Sequence, residues 1–352
     1  MHEALRAVLR RRFPDADEVE VHELAVIAGG YSRETFRFDA HIVRNGSREV
    51  LPMILRKDPP RESAILHSDR QLEHDLLERL RRHTSLPVSE SYLVEQDPSY
   101  FGEAAMILQR MPGSGEVSAL FHGDRTHEAE AIATQLCEYI AQLHLTDPAL
   151  LNPDGRLDDP RGVGIDVSSW ERYMESTIDY YLRSYDDFAF DPVPVFRDAY
   201  LYLKHTRPRP LPLRVVHGDF NPANFLYENG RVTAIIDWEN AHIGDPREDL
   251  GWLKLMDLLS NTNIFGSVRA EGGFLGLYNK LTGFGVTEEE VNYFQIFTGA
   301  HIGVPVVSAV KRRIDRKHLE LLHLYLTQPV LVSELAFTQL LGYPNPLAGA
   351  QA

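Results

Sequence analysis

Cysteine is nearly missing from this chain. Cys137 stands alone among 352 residues, which excludes an intrachain disulfide and leaves no thiolate set for a metal. It falls in an apolar-periodic stretch, so a buried helix thiol is expected there, not a nucleophile. Basic residues are also in deficit. Thirty-six Lys and Arg against 51 Asp and Glu give a formal net charge of −15, which argues against a nucleic-acid surface and against binding to anionic lipid. Long apolar runs are lacking too. The most apolar stretch, around 302–310, contains Pro305 and is far too short to span a bilayer. The first twenty residues hold no continuous apolar segment of the signal-peptide kind; Leu5, Val8 and Leu9 suggest a short amphipathic helix instead. A cytoplasmic protein with no nucleic-acid or membrane partner is expected, and nothing here bears on oligomeric state.

What is present reads as an ordinary globular protein, 43% hydrophobic and 25% charged, long enough for one large domain or two coupled lobes. The first third is strand-rich. Val21–Ala28 and Thr35–Phe38 flank Gly29-Gly30, and Val50–Arg56 is another extended run ending at Pro59-Pro60. A helix is expected at about 65–83, then strands near Tyr92–Glu95 and Ala104–Arg110, closing at Pro112-Gly113. Beyond that the chain turns helical, at about 126–146, 168–184, 193–205, 287–311 and 316–341. Thr287 with Glu290 fits a capping box opening one of these. One β insertion interrupts the helices: Phe225–Tyr227 and Val232–Ile236 around Asn229-Gly230, a strong hairpin signal. The outline is a five-stranded, β-rich N-lobe over residues 1–112 and a helical C-lobe over 113–352. A cleft between two such lobes is a natural ligand site.

The informative stretch is 215–249, VVHGDFNPANFLYENGRVTAIIDWENAHIGDPRED. Asp219 follows an apolar run and precedes a loop with Asn221, Pro222 and Asn224. With Asn229-Gly230 as a two-residue turn, Glu228 faces Arg231, and an unbroken register sets Asn224 opposite Ile235. Asp237 then lies two residues beyond, so an amide oxygen and a carboxylate are presented together close to Asp219. Phosphoryl transfer calls for such a set. Mg²⁺ takes hard oxygen ligands and few of them from protein, and a further carboxylate must orient or deprotonate the attacking hydroxyl. Asp and Asn capping the backbone of a turn-rich loop is the bland alternative. The coincidence of spacing, hairpin and following Asp tells against it.

At these residues a resemblance becomes plain. His217-Gly218-Asp219 with Asn224 resembles the H-G-D-x-x-x-x-N catalytic loop of aminoglycoside phosphotransferases, choline kinases and related small-molecule kinases. Ile236-Asp237-Trp238-Glu239 resembles their I-D-[WF]-E metal-binding segment, and Gly244-Asp245-Pro246 with Asp249-Leu250 the G-D-P-x-x-D-L that follows. The resemblance covers about residues 21–255. It implies an α+β, bilobal protein-kinase-like fold with a small antiparallel-sheet N-lobe and a larger helical C-lobe. It also implies transfer of the γ-phosphoryl group of ATP, with Mg²⁺, to a hydroxyl of a small molecule. Asp219 would be the catalytic base or hydroxyl-orienting residue, with Asn224 and Asp237 as Mg²⁺ ligands. Asp245, Asp249 and His217 would be structural.

In the N-lobe, Gly29, Gly30 and Ser32 sit where a phosphate-covering loop belongs, and glycines permit close approach. The family's strand-borne phosphate cation aligns with Arg56, next to Lys57; side chains alternate across a strand, so one of the two can point inward. An L-R variant at this place resembles the subgroup of kinase-like domains fused to acyl-CoA dehydrogenases. Glu73 lies at the edge of an apolar stripe of Leu72, Leu76, Leu77 and Leu80, where a carboxylate needs a partner; the family pairs it with the strand cation. The hinge would read adenine through main-chain groups of Gln109 and Met111.

A protein kinase is the nearest rival in fold, but the triplet is His-Gly-Asp, there is no Asp-Phe-Gly or Ala-Pro-Glu, and the span from Asp237 to Asp245 is too short for an activation segment. A catalytically silent nucleotide-binding or scaffolding protein is a rival of another class. The acceptor stays open among aminoglycosides, macrolides, choline-like alcohols, sugars and hydroxyacyl compounds, as does ATP against GTP. The family's acceptor lies beside C-terminal helices, which here carry Trp170, Tyr173, Tyr180, Tyr181, Tyr293, Phe294 and His301; helix packing accounts for most of these.

Overall fold

Leu5, Val8 and Leu9 recur at helical spacing, and the chain opens with α1 (His2–Arg12), in which all three are buried. The computed structural model describes residues 1–27, 34–59, 69–116, 120, 126–188, 194–260, 262–315 and 334–343. After α1 come β1 (Glu18–Val26), β2 (Glu34–Arg44), β3 (Ser47–Lys57), α2 (Arg70–His83), β4 (Ser91–Glu95), the single turn α3 (Pro98–Phe101) and β5 (Ala105–Gln109). Then follow α4 (Thr126–Leu145), the short α5 (Pro148–Leu151), α6 (Trp170–Phe188), α7 (Pro194–His205) and β6 (Arg214–Val216). β7 (Phe225–Glu228), β8 (Arg231–Ile235), β9 (His242–Gly244), α8 (Arg247–Leu259), α9 (Ile264–Ser267), α10 (Gly273–Thr282) and α11 (Glu288–Asp315) complete the order.

These elements divide into two compact units. One comprises residues 1–115 with 225–239, the other 116–224 with 240–352. The β7–β8 hairpin, embedded in the helical half of the sequence, therefore belongs with the strand-rich unit.

In the first unit the sheet runs β1-β2-β3-β5-β4, with every neighbouring pair antiparallel. Alternation places Val19, Phe38, Ala40, Ile42, Met53 and Leu55 on one face, packed with Leu5, Val8 and Leu9 of α1. Arg56, the next residue, is thereby on the opposite face. The expected strand at Thr35–Phe38 proves much longer. β2 continues to Arg44 and turns directly into β3 through Asn45-Gly46, whose φ values of 50° and 76° suit a tight hairpin turn. α2 starts at Arg70 because Asp69 caps it, accepting from the Gln71 and Leu72 N–H groups; residues 60–68 lie outside the described residues.

The second unit is built on α6, α7 and α11, whose Tyr173, Ile178, Phe196, Tyr200, Phe294 and Phe297 form a shared core. Trp170, Tyr173, Tyr293 and Phe294 are packing residues of that core. α8 and α10 carry no strong sequence cue and emerge only in the structure. α8 packs closely on α11: a Cβ on Gly251 would lie 2.4 Å from the carbonyl carbon of Phe294. The capping box forms in full, with Glu290 N–H donating to Thr287 and Thr287 N–H donating to the Glu290 carboxylate. Cys137 is buried on α4 and its thiol is pushed up to about 12, chiefly by burial. Among the described residues no helix is long and apolar enough to cross a membrane.

Candidate functional site

The first unit carries a cluster of charge centred on Arg56. Its Nη1 donates to Glu73 Oε1 at 3.1 Å and its Nη2 to Asp237 Oδ1 at 2.6 Å. Arg70, at the first position of α2, joins the cluster: it donates to Asp58 at 2.7 Å, to Glu73, and to Glu239 at 3.4 Å. Glu73 and Arg70 are each only 3% exposed, so their pairing offsets a desolvation cost that neither could bear alone. The set is unbalanced, with four carboxylates (Asp58, Glu73, Asp237, Glu239) facing two guanidiniums. Burial, and then the charge of Asp237, pushes Glu239 up to about 8; burial and Glu73 push Asp58 up to about 6. On Arg56 burial works against the charge, yet Asp237 and Glu73 outweigh it and the pKa is raised. Lys57 points the other way, to the exposed Glu34 at 2.7 Å.

Asp237 holds a left-handed backbone, φ 68°, which Asp tolerates better than most residues but still at some cost. It follows β8, and here the register departs from expectation. Glu228 faces Arg231 and Tyr227 faces Val232, but a bulge then shifts the ladder so that Phe225, not Asn224, opposes Ile235. The extra residue, Thr233, donates to the Pro112 carbonyl at 2.5 Å, a contact no local sequence signal announces. Gln109 ends β5 with its N–H committed to the Glu90 carbonyl at 2.8 Å, while Arg110 N–H turns to Pro52 at 2.9 Å. Met111 is half-buried just beyond. Gly29, Gly30 and Ser32 lie outside the described residues.

The second unit carries the loop at 217–224. Asp219 is oriented by three side-chain donors: Trp252 Nε1 and Asn221 Nδ2 reach its Oδ1, both at 2.7 Å, and Asn224 Nδ2 reaches its Oδ2 at 2.8 Å. Asn224 also donates to the Asp219 carbonyl at 2.9 Å, so its amide nitrogen is committed to Asp219. The loop itself is pinned from beneath. Asp249, in the first turn of α8, accepts from His217 N–H at 2.8 Å and Gly218 N–H at 3.0 Å. His144 reaches Asp249 at 3.0 Å and Tyr278 at 2.8 Å. Burial alone would raise the Asp249 carboxyl, but the His144 bond and charge hold it below its usual value. Gly218 has φ 75°, and a Cβ there would meet the Asn240 carbonyl oxygen at 2.2 Å, so only glycine fits. Asp245 binds Arg247 at 2.6 Å and Trp170 Nε1 at 2.6 Å, and Arg247 reaches Glu290 at 3.0 Å, a buried and well-partnered set.

Sequence reasoning missed Arg70, Trp252 and His144. Arg70 had one cue, the i,i+3 spacing to Glu73 just past a capping Asp. Trp252 and His144 had none, because their partners are 33 and 105 residues away.

A model of the phosphotransferase enzyme family matches residues 23–271. Acyl-CoA dehydrogenase family member 11 of Pongo abelii is 24% identical over 206 residues, 57% of this chain and 25% of that protein; the chain thus spans about a quarter of the length of that curated relative. A crystal structure of a Ralstonia eutropha protein assigned as an aminoglycoside phosphotransferase superposes with a TM-score of 0.68 at 21% identity, covering 97% of this chain and 99% of that one. Aminoglycoside phosphotransferase APH(4)-Ia, in a ternary complex with AMP-PNP and hygromycin B, gives 0.56 at 16% identity, covering 96% and 97%. These likenesses show the fold, the bilobal kinase-like α+β architecture.

Proposed function

The chain belongs to the phosphotransferase enzyme family, matched over residues 23–271, and from that premise we propose that it is a small-molecule kinase transferring the γ-phosphoryl group of ATP to an alcohol hydroxyl. The observation that carries this reading is the Asp219 carboxylate, held by Trp252, Asn221 and Asn224 on a loop that Asp249 ties down at two main-chain N–H groups. A carboxylate fixed by charge-assisted bonds is built to hold one orientation, which suits aligning a hydroxyl for in-line attack. The acceptor oxygen forms a bond to the γ-phosphorus as the bond to the β–γ bridging oxygen breaks. The hydroxyl proton passes to Asp219 and then to solvent, leaving a phosphate monoester and ADP. Arg56, positioned by Glu73, serves the nucleotide phosphates, with Gln109 and Met111 at the adenine edge and Gly29, Gly30 and Ser32 over the phosphates.

We assign Asn224 and Asp237 as Mg²⁺ ligands. The donor chemistry fits: a carboxylate and an amide oxygen are hard ligands, and the surplus of carboxylates around Arg56 and Arg70 favours a further cation. When bound, Mg²⁺ neutralises charge building on the phosphate oxygens.

Asp219→Asn tests the reading. Turnover, followed as ADP release across a panel of hydroxyl compounds, should fall roughly 10²–10⁴-fold. The rise in melting temperature on adding Mg·ATP should persist. Unchanged turnover in Asp219→Asn, or the lack of any Mg·ATP effect on the unmutated protein, would overturn it. A Mg·ATP effect without turnover on any acceptor would favour a silent nucleotide-binding protein.

A further inference from the structure

On the sheet face opposite α1, β1 and β2 bring three metal-ligating side chains together. Glu20 and His22 are two apart on β1 and share a face. His41 of β2 stands directly across from Glu20, and Asp39 across from His22. Nε2 of His22 is 3.1 Å from Oε2 of Glu20, and the two imidazoles stack with centroids 4.1 Å apart and planes 26° apart. One ligand atom from each of Glu20, His22 and His41 lies within 4.8 Å of the others.

We propose that Glu20, His22 and His41 form a binding site for a divalent transition-metal ion of the zinc type, with two imidazole nitrogens, one carboxylate oxygen and solvent in the fourth position. Zinc bonds of 2.0–2.2 Å to nitrogen and oxygen imply ligand separations of about 3.4 Å in a tetrahedron. Small χ adjustments of side chains that are about half exposed, 43% for His22 and 45% for Glu20, close that gap. An all-nitrogen-and-oxygen set is suited to zinc, copper(II) or nickel(II) and ill-suited to the soft ions that need thiolate.

Arg48 supplies a second, independent observation. Its Nη2 donates to Glu20 Oε2 at 3.2 Å and also contacts His41 Nδ1. Arginine has no acceptor, so Nδ1 of His41 presents its lone pair, the form a metal takes up. Arg48 is a cation already seated against two of the three ligands, yet its side chain is 52% exposed and can withdraw into solvent. A metal ion would replace it. The backbone gives such a cross-link a use. The β1–β2 ladder is interrupted between His22 and Ala25, where Glu23 adopts φ 53°, and a metal bridging His22 and Glu20 to His41 would tie the strands together beside that break.

The experiment uses the full chain and the metal alone. Cobalt(II), titrated as an optical stand-in for zinc, should give visible d–d bands saturating near one equivalent, and zinc should abolish them. His22→Ala and His41→Ala should each weaken binding more than about tenfold, the lower end of what even an outer-shell change costs. Arg48→Met should strengthen it several-fold, because the competing cation is gone. Saturating Mg·ATP should leave the titration unchanged, and the melting-temperature response to Mg·ATP serves as the folding control for each variant. Equal cobalt affinity in the unmutated protein and His41→Ala would overturn the proposal, as would weaker binding in Arg48→Met.

Discussion

Arg56 and Lys57 are adjacent cations with opposite environments. The Arg56 guanidinium is engaged by Glu73 and Asp237, and Glu73 has a side chain only 2% exposed. Lys57 meets Glu34, which is 63% exposed. Removing the Arg56 cation leaves Glu73 with Arg70 as its remaining guanidinium partner, a loss of about 1–3 kcal/mol for a buried charged group. Exposed pairs of the Lys57–Glu34 kind are worth below about 1 kcal/mol. Arg56→Met should therefore lower the urea midpoint and raise KM for ATP, whereas Lys57→Met should leave both close to those of the unmutated protein. The reverse pattern would move the phosphate-binding role to Lys57. Trp252 sets a similar contrast inside the loop site, because its ring packs while its Nε1 orients Asp219.

At the level of elements, the 217–224 loop depends on backbone more than on side chains. Gly218 has positive φ and sits against the Asn240 carbonyl oxygen, and its N–H is one of two held by Asp249. A methyl group at 2.2 Å from that oxygen has no soft neighbour to displace. Gly218→Ala should cost more than the roughly 1 kcal/mol typical of alanine at positive φ. It should also lower kcat, since a displaced His217-Gly218 backbone carries Asp219 with it. Paired urea-denaturation and turnover measurements check this, and a destabilised variant with full kcat would show that the loop tolerates the shift. This element was legible from its motif, but the reason for its glycine was not, because the obstructing carbonyl is 22 positions further along the chain.

For the molecule as a whole, the acid limb of stability is a test of the packing in the second unit. His301 is buried with no hydrogen-bond partner for Nε2 among the described residues, stacked on Tyr181 at 4.2 Å and edge-on to Phe297 at 3.8 Å. Burial, with the nearby charges of His242 and Arg161, holds its pKa well below the ordinary 6.5. Below pH 6.5 the unfolded chain takes up a proton that the folded chain refuses, so stability is full above that pH and declines as pH falls. The slope from this one group approaches about 1.4 kcal/mol per pH unit. His301→Phe should flatten the fall in urea midpoint between pH 6.5 and about 5, relative to the unmutated protein. An identical pH profile in the variant would mean that His301 is protonated in the folded state.

Features set by near neighbours were open to the sequence. Asn229-Gly230 marked the β7–β8 turn, Thr287 and Glu290 marked the start of α11, Leu5, Val8 and Leu9 marked α1, and the spacing of Asp219, Asn224 and Asp237 pointed to phosphotransfer chemistry. Each is a matter of a few residues' backbone geometry or periodicity, which the chain carries locally. The tertiary structure decided what those signals cannot hold. It placed Phe225 opposite Ile235 through a bulge, brought Trp252 to Asp219, set His144 beneath Asp249, and stacked His22 on His41 across two strands. Asn45-Gly46, a turn of the same kind as Asn229-Gly230, joins β2 to β3, which the structure shows paired over eleven residues each. Contacts between residues dozens of positions apart arise from how faces pack and how ladders register, and one inserted residue or one helix rotation reassigns them all.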